Sequence, residues 1–191
     1  DWIISRTGVK ERRISNIDVD EMGAIAAKKA LSNSKKEPDL IINASGVGKQ
    51  TIPDTSIFIQ KELGFKGVPS FSIHATCLSF LIALNTASTF LSQGLYKKIL
   101  IVSSDRGTRG RNFDEPESAA LLGDAAAAVV VEQSLDNQQS EILSFSMETW
   151  SEGYNYTEVR GGGTNLHPQD SETTIADNLF SMNGPLIYKI A

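Results

Sequence analysis

Residues 69–102 read PSFSIHATCLSFLIALNTASTFLSQGLYKKILIV. Pro69–His74 is expected to be a strand. From Cys77 to Gly94 the chain reads as a long helix. Leu78, Leu81, Ile82, Ala83, Leu84, Ala87 and Leu91 cover most of its surface, and a helix apolar nearly all round is a buried one. Gly94 ends it, and Lys97-Lys98 precede Ile99–Val102, a run suited to a second buried strand. A strand, a helix and a strand in this order imply a right-handed crossover and parallel pairing, in a sheet covered on both faces.

The pattern extends upstream. Residues 18–32 predict a helix capped by Asp18, with Glu21 three residues on and Met22, Ile25, Ala26 and Ala30 at helical spacing. Ser32-Asn33-Ser34 and Pro38 stop it. Leu40–Ala44 is a third buried strand, followed by a Gly-containing loop. Asp54 or Thr55 caps a helix through Leu63, closed by Gly64. Downstream, residues 106–117 read as a polar excursion carrying Arg106, Arg109 and Arg111. Ser118–Leu122 suits a helical turn, Ala125–Val131 a packed strand, and Ile142–Trp150 a further strand by loose alternation. Residues 151–174 read as a long mobile loop whose Gly161-Gly162-Gly163 is a hinge. They lack the Lys-Ser/Thr of a phosphate-binding loop. The last residues, Leu186–Ala191, resemble the start of a helix. The fold class expected is α/β with a mixed five-stranded sheet. Residues 1–133 form the core, and 134–191 hold the remaining strand, the Gly-rich loop and the start of a second half. The absent initiator Met and the apolar last residues are read as a piece of a larger protein.

Composition narrows the function. Hydrophobic residues are 40% of the 191, enough to bury a core, so general disorder is not expected. Eighteen basic against 23 acidic residues leave a net charge of −5, which disfavours nucleic acid as the main partner. One cysteine excludes a disulfide within the chain, and with two histidines it is too few for a structural zinc site. No apolar run suits a membrane span, and no secretory signal is visible.

Cys77 is the chemical focus. It falls after a strand of a parallel sheet, where α/β proteins bind ligands, and at the start of a helix, whose dipole favours a thiolate. The competing reading is a small buried core cysteine. His74 is read as a packed or hydrogen-bonded structural residue, and His167 is given no chemical role.

The segment Phe71-Ser72-Ile73-His74-Ala75-Thr76-Cys77-Leu78-Ser79-Phe80 resembles the nucleophile segment of the β-ketoacyl-acyl-carrier-protein synthase III family, in the thiolase superfamily. Trp2-Ile3-Ile4-Ser5-Arg6-Thr7-Gly8-Val9-Lys10-Glu11-Arg12 is similar to that family's early segment. Leu121–Val129, with Gly123-Asp124, resembles its Gly-Asp-Gly-Ala motif. Met182-Asn183-Gly184 and Tyr188-Lys189 resemble the lead into its second half. The resemblance implies a thiolase-like layered fold, of which this chain is the N-terminal half. A His and an Asn from the other half complete the site.

The chemistry so implied is acyl transfer to Cys77, then decarboxylative condensation with malonyl-carrier protein in fatty-acid or specialised-metabolite biosynthesis. It needs no resident cofactor and no metal. Partners implied are an acyl-coenzyme A or acyl-carrier-protein donor, malonyl-carrier protein, the acyl carrier protein itself and a second copy in a homodimer, in the cytoplasm and with no membrane. Arg12-Arg13 or Lys97-Lys98 could dock an acidic carrier. Trp2 and Arg6 match residues that hold the adenine end of coenzyme A. Pro116 stands where the best-known members carry a second nucleotide-stacking Arg, which favours a carrier-bound donor. Ile52 falls where the family has a Phe closing the acyl pocket across the dimer, so a longer or branched acyl group is expected. Leu78 and Ser79 replace small residues after the Cys and reshape that pocket. These 191 residues alone are expected to turn over little, since the base and orienter lie elsewhere. Two other readings stay open: an acyltransferase acting on an alcohol or amine without decarboxylation, and a non-catalytic half-length partner subunit. The retained Cys77 argues against the second.

Overall fold

The computed structural model describes residues 2–32, 34, 36–134 and 141–190. Asn33 and Ala191, read above as helix-end residues, lie outside the described residues. In chain order the elements are α1 (Trp2–Thr7), α2 (Val19–Leu31), β1 (Leu40–Asn43), α3 (Thr55–Leu63), β2 (Ser70–Ser72), α4 (Ser79–Ser92), β3 (Lys98–Arg106), α5 (Pro116–Ala119), β4 (Asp124–Glu132), β5 (Thr157–Glu158), β6 (Ser181–Met182) and α6 (Gly184–Ile190). They fall into two compact units. One holds residues 15–106 and 124–145, the other 1–14, 107–123 and 146–191.

The first unit is built on a four-stranded sheet in the order β2-β1-β3-β4. β1 runs parallel to β2 and β3, and β4 returns antiparallel along β3 from Lys98↔Glu132 to Arg106↔Asp124. The sheet has two apolar faces because successive side chains point oppositely. Leu40, Ile42, Ile99 and Ile101 pack with Ala83, Ala87 and Leu91 of α4. Ile41, Leu100 and Val102 pack with Ala27 of α2 and Ile59 of α3. Double coverage explains why β1 reads as an unbroken apolar run. Asp18 caps α2 by accepting from the Val19 N–H at 2.9 Å. Asp54 caps α3 by accepting from the Ser56 N–H at 3.0 Å, and Gly64, at φ 77°, closes that helix.

The structure corrects four expectations. The mixed sheet has four strands, not five, because residues 142–150 form no strand. Leu143 is 85% exposed and Trp150 57%, so the alternation there does not mark a face turned to a core. The helix after Cys77 is not buried all round. Only the stripe Ser79, Ala83, Ala87 and Leu91 is buried, and Leu81 is half exposed. In the second unit, residues 151–174 are not one featureless loop: β5 pairs antiparallel with β6, and Gly161 bridges Leu166. Nor does Gly161 read as a hinge, because a Cβ there would sit 2.6 Å from the Asn178 Oδ1. It is a close-approach glycine.

Candidate active site

Asn43 ends β1, Ser72 ends β2, and Ser104 and Asp105 lie near the end of β3. A chain of hydrogen bonds links these strand ends. The Asn43 side-chain amide donates to Ser72 Oγ at 2.8 Å, and Ser45 Oγ donates to Asn43 Oδ1 at 2.6 Å. The Ser104 N–H donates to Ser45 Oγ at 3.0 Å, and Ser104 Oγ donates to the Val19 carbonyl at 2.6 Å. Buried polar atoms that are all paired fix one geometry. Asp105 Oδ1 then accepts from the Gly46 and Val47 N–H groups at 2.8 and 3.1 Å, tying the loop after β1 to β3. Burial raises the Asp105 carboxyl above the usual carboxylate range. The Val47 and Gly46 amides, Ser103 and the nearby His74 act against that rise. His74 is exposed beyond the end of β2, so of the two alternatives, packed or hydrogen-bonded, the packed one does not hold in this chain.

Cys77 lies at this end of the sheet, in a 3-10 turn over Thr76–Leu78 that leads into α4. It is exposed in this chain. The turn is unusual, since Thr76 has φ 48°. A β-branched residue in the left-handed region costs on the order of 1–3 kcal/mol and persists only where its surroundings hold it. Leu78, beside Cys77, is 46% exposed. Ile52 is 80% exposed on the loop from β1 to α3. That loop is fastened along its length. Beyond the Asp105 bonds, the Lys49 N–H donates to Thr55 Oγ1 at 2.9 Å, and Lys49 Nζ reaches the buried Asp20 carboxylate at 2.5 Å. The Asp20 hydrogen bond raises the Lys49 pKa against the opposing effect of burial.

Trp2 and Arg6 belong to the other unit. They sit one helical turn apart on α1, both exposed. Beside them, Ile3, Ile4, Val9, Pro116 and Ala120 help to wall a hollow of about 380 Å³. Pro116 is the first residue of α5, where the ring's fixed φ suits a helix start. Arg111 and Phe113 also line the hollow, with the guanidinium carbon 5.8 Å from the ring centre. Arg111 also donates from Nε to the Leu122 carbonyl at 3.2 Å. Among the described residues, no group of three or more His, Cys, Asp or Glu could hold a metal ion, and no helix is long and apolar enough to cross a membrane.

Residues 71–151 match the family described as 3-oxoacyl-[acyl-carrier-protein (ACP)] synthase III. The β-ketoacyl-[acyl-carrier-protein] synthase III of Clostridium acetobutylicum is 32% identical over 195 residues, covering 100% of this chain and 59% of that protein. The chain is similar over its whole length to the β-ketoacyl-[acyl-carrier-protein] synthase III family. The synthase III of Aquifex aeolicus is 36% identical over 151 residues, covering 77% of this chain and 48% of that protein. The crystal structure of the Aquifex aeolicus VF5 synthase III superimposes with a TM-score of 0.83 at 30% identity, over 100% of this chain and 57% of that one. The fold is therefore thiolase-like, as the resemblance implied. The chain spans less than three fifths of the length of these curated relatives.

Cys77, Leu78 and Pro116 lie inside the stretch that matches the synthase III family, whereas Trp2, Arg6 and Ile52 lie outside it. Two features of the site escaped the sequence reading. The positive φ at Thr76 has no signal, since the residue there is not Gly or Asn. The role of Asp105 was hidden because the apolar run of β3 stops at Val102, although the strand continues to Arg106.

Proposed function

We propose that this chain carries the nucleophile of a condensing enzyme that joins an acyl group to malonyl-acyl carrier protein. The observation that carries the reading is the exposed thiol of Cys77, set on a strained turn at the C-terminal ends of parallel strands, within the stretch that matches the synthase III family. The Cys77 thiolate attacks the carbonyl of an acyl thioester. The new C–S bond replaces the donor's C–S bond, the donor thiol leaves with a proton, and Cys77 is acylated. Malonyl-carrier protein then loses carbon dioxide, and the electron pair of the broken C–C bond makes an enolate. Its carbon attacks the acyl carbonyl and expels the Cys77 thiolate, giving a 3-ketoacyl thioester. The Cys77 N–H is assigned to the oxyanion hole. The family resemblance assigns the enolate-stabilising His and Asn to the part of the fold that this chain does not span.

Trp2 and Arg6, a ring and a cation on adjacent turns of α1, suit the adenine end of coenzyme A. Pro116 offers no charge to a nucleotide, which favours a carrier-bound acyl donor. Leu78 and Ile52 are assigned to the acyl pocket, Ile52 to that of a second copy. The edge position of β2 supports a homodimer formed by strand pairing across a two-fold axis.

The test is a condensation assay on the complete protein, with acyl thioester and malonyl-carrier protein. The reading predicts one carbon dioxide released for each 3-ketoacyl product. Transfer of the acyl group to an added alcohol or amine, with malonyl-carrier protein left intact, would replace condensation with simple acyl transfer.

A further inference from the structure

Ser79 opens α4 two residues after Cys77 and is only 1% exposed. Its hydroxyl makes two bonds backward across the turn. Oγ donates to the Thr76 carbonyl at 2.7 Å and accepts from the Ala75 N–H at 3.0 Å. The two groups lie at either end of the Ala75–Thr76 segment, in which Thr76 has φ 48°, and Cys77 follows directly. The main chain adds a bond from the Leu78 N–H to the Ala75 carbonyl at 3.0 Å. Gly46, on the loop after β1, lies near the Thr76 carbonyl. A Cβ on Gly46 would stand 3.9 Å from the Thr76 oxygen and 3.3 Å from Asp105 Oδ1.

We infer that Ser79 is a positioning residue, whose buried hydroxyl holds Thr76 in its left-handed conformation and thereby aims the Cys77 thiol. The inference rests on the reading of Cys77 as the nucleophile. A strained residue stays put only while something outside it holds it there. Ser79 ties the peptide group before Ala75 to the one after Thr76, and so brackets the two-residue segment that holds the left-handed backbone. Without the hydroxyl, Thr76 relaxes toward negative φ and swings the thiol away from its line of attack. Attack on a bound thioester depends on direction, so small displacements are costly. Alkylation by a small, freely diffusing reagent depends on direction far less.

The experiment is a double-mutant cycle over S79A and T76G in the complete protein. Acylation of Cys77 by an acyl thioester is followed by intact mass, with iodoacetamide alkylation of the same thiol and thermal melting measured in parallel. S79A is expected to slow acylation by about ten- to a hundredfold, to leave the KM for the donor nearly unchanged, and to alter the alkylation rate by much less. Glycine takes positive φ without strain, so S79A in the T76G background should cost markedly less. An equal cost in both backgrounds, or a folded S79A that acylates at the wild-type rate, overturns the inference. So does a loss confined to the melting temperature. If S79A alone does not fold, the T76G S79A protein decides: the inference predicts that it folds and acylates, and failure to do so contradicts it. A wild-type protein that takes no acyl group at Cys77 would instead remove the nucleophile reading on which the inference rests.

Discussion

Ile52 presents a β-branched side chain to solvent from a loop that is fastened to Asp105, Asp20 and Thr55. A fixed backbone with an apolar tip is suited to entering something else. Under the proposed function that is the acyl pocket of a second copy, where a ring in this place would act as a plug. Without the ring there is room for several methylenes, each contributing about 0.8 kcal/mol when buried. The complete enzyme is therefore expected to favour medium or long acyl donors over acetyl by more than about tenfold in kcat/KM. Ile52→Phe should remove that preference by excluding the long donors and sparing the short ones. A donor series on both proteins checks this, and an unchanged length profile would take Ile52 out of the pocket.

At the scale of elements, α3 depends on one carboxylate. Burial works against the charge of Asp54. The hydrogen bonds from Ser56, Ser72 and the Thr55 amide outweigh it and hold the carboxyl below its usual range. Asp54→Ala should cost about 1 kcal/mol, the usual worth of an N-cap. The sign with pH follows from the lowered pKa. The contribution is fully present above the unfolded value of about 3.9 and fades as pH falls through the lower folded value. Chemical unfolding of both proteins from neutral to acid pH should show the gap shrinking. A gap constant with pH would mean that the charge contributes nothing. Elements with strong end signals were legible: Asp18 and Asp54 announce α2 and α3, and Gly64 closes α3. β1 and the first half of β3 were legible as apolar runs. The second half of β3 was not, because Ser103–Arg106 are polar where the strand builds the site. Residues 142–150 misled because a strand needs a pairing neighbour, which alternation alone does not name. β5 and β6 are two residues each, too short for any periodicity.

At the scale of the whole molecule, each of the two units carries part of the proposed machinery. One holds the sheet, the Cys77 turn and Ile52. The other holds α1 with Trp2 and Arg6, and the hollow beside Pro116. The placement of Cys77 between a strand and a helix was legible in the sequence. The shape of its turn was not, because the positive φ at Thr76 goes with hydrogen bonds of the Ser79 hydroxyl that no spacing rule encodes. The central claim is that Cys77 takes an acyl group from a thioester. Intact-protein mass spectrometry of the complete protein, mixed with an acyl donor and then digested to locate the adduct, tests it most directly. The account predicts one acyl group per chain, carried by Cys77 and absent from both Cys77→Ala and Cys77→Ser. An acyl adduct that forms at the same rate in those variants would contradict it.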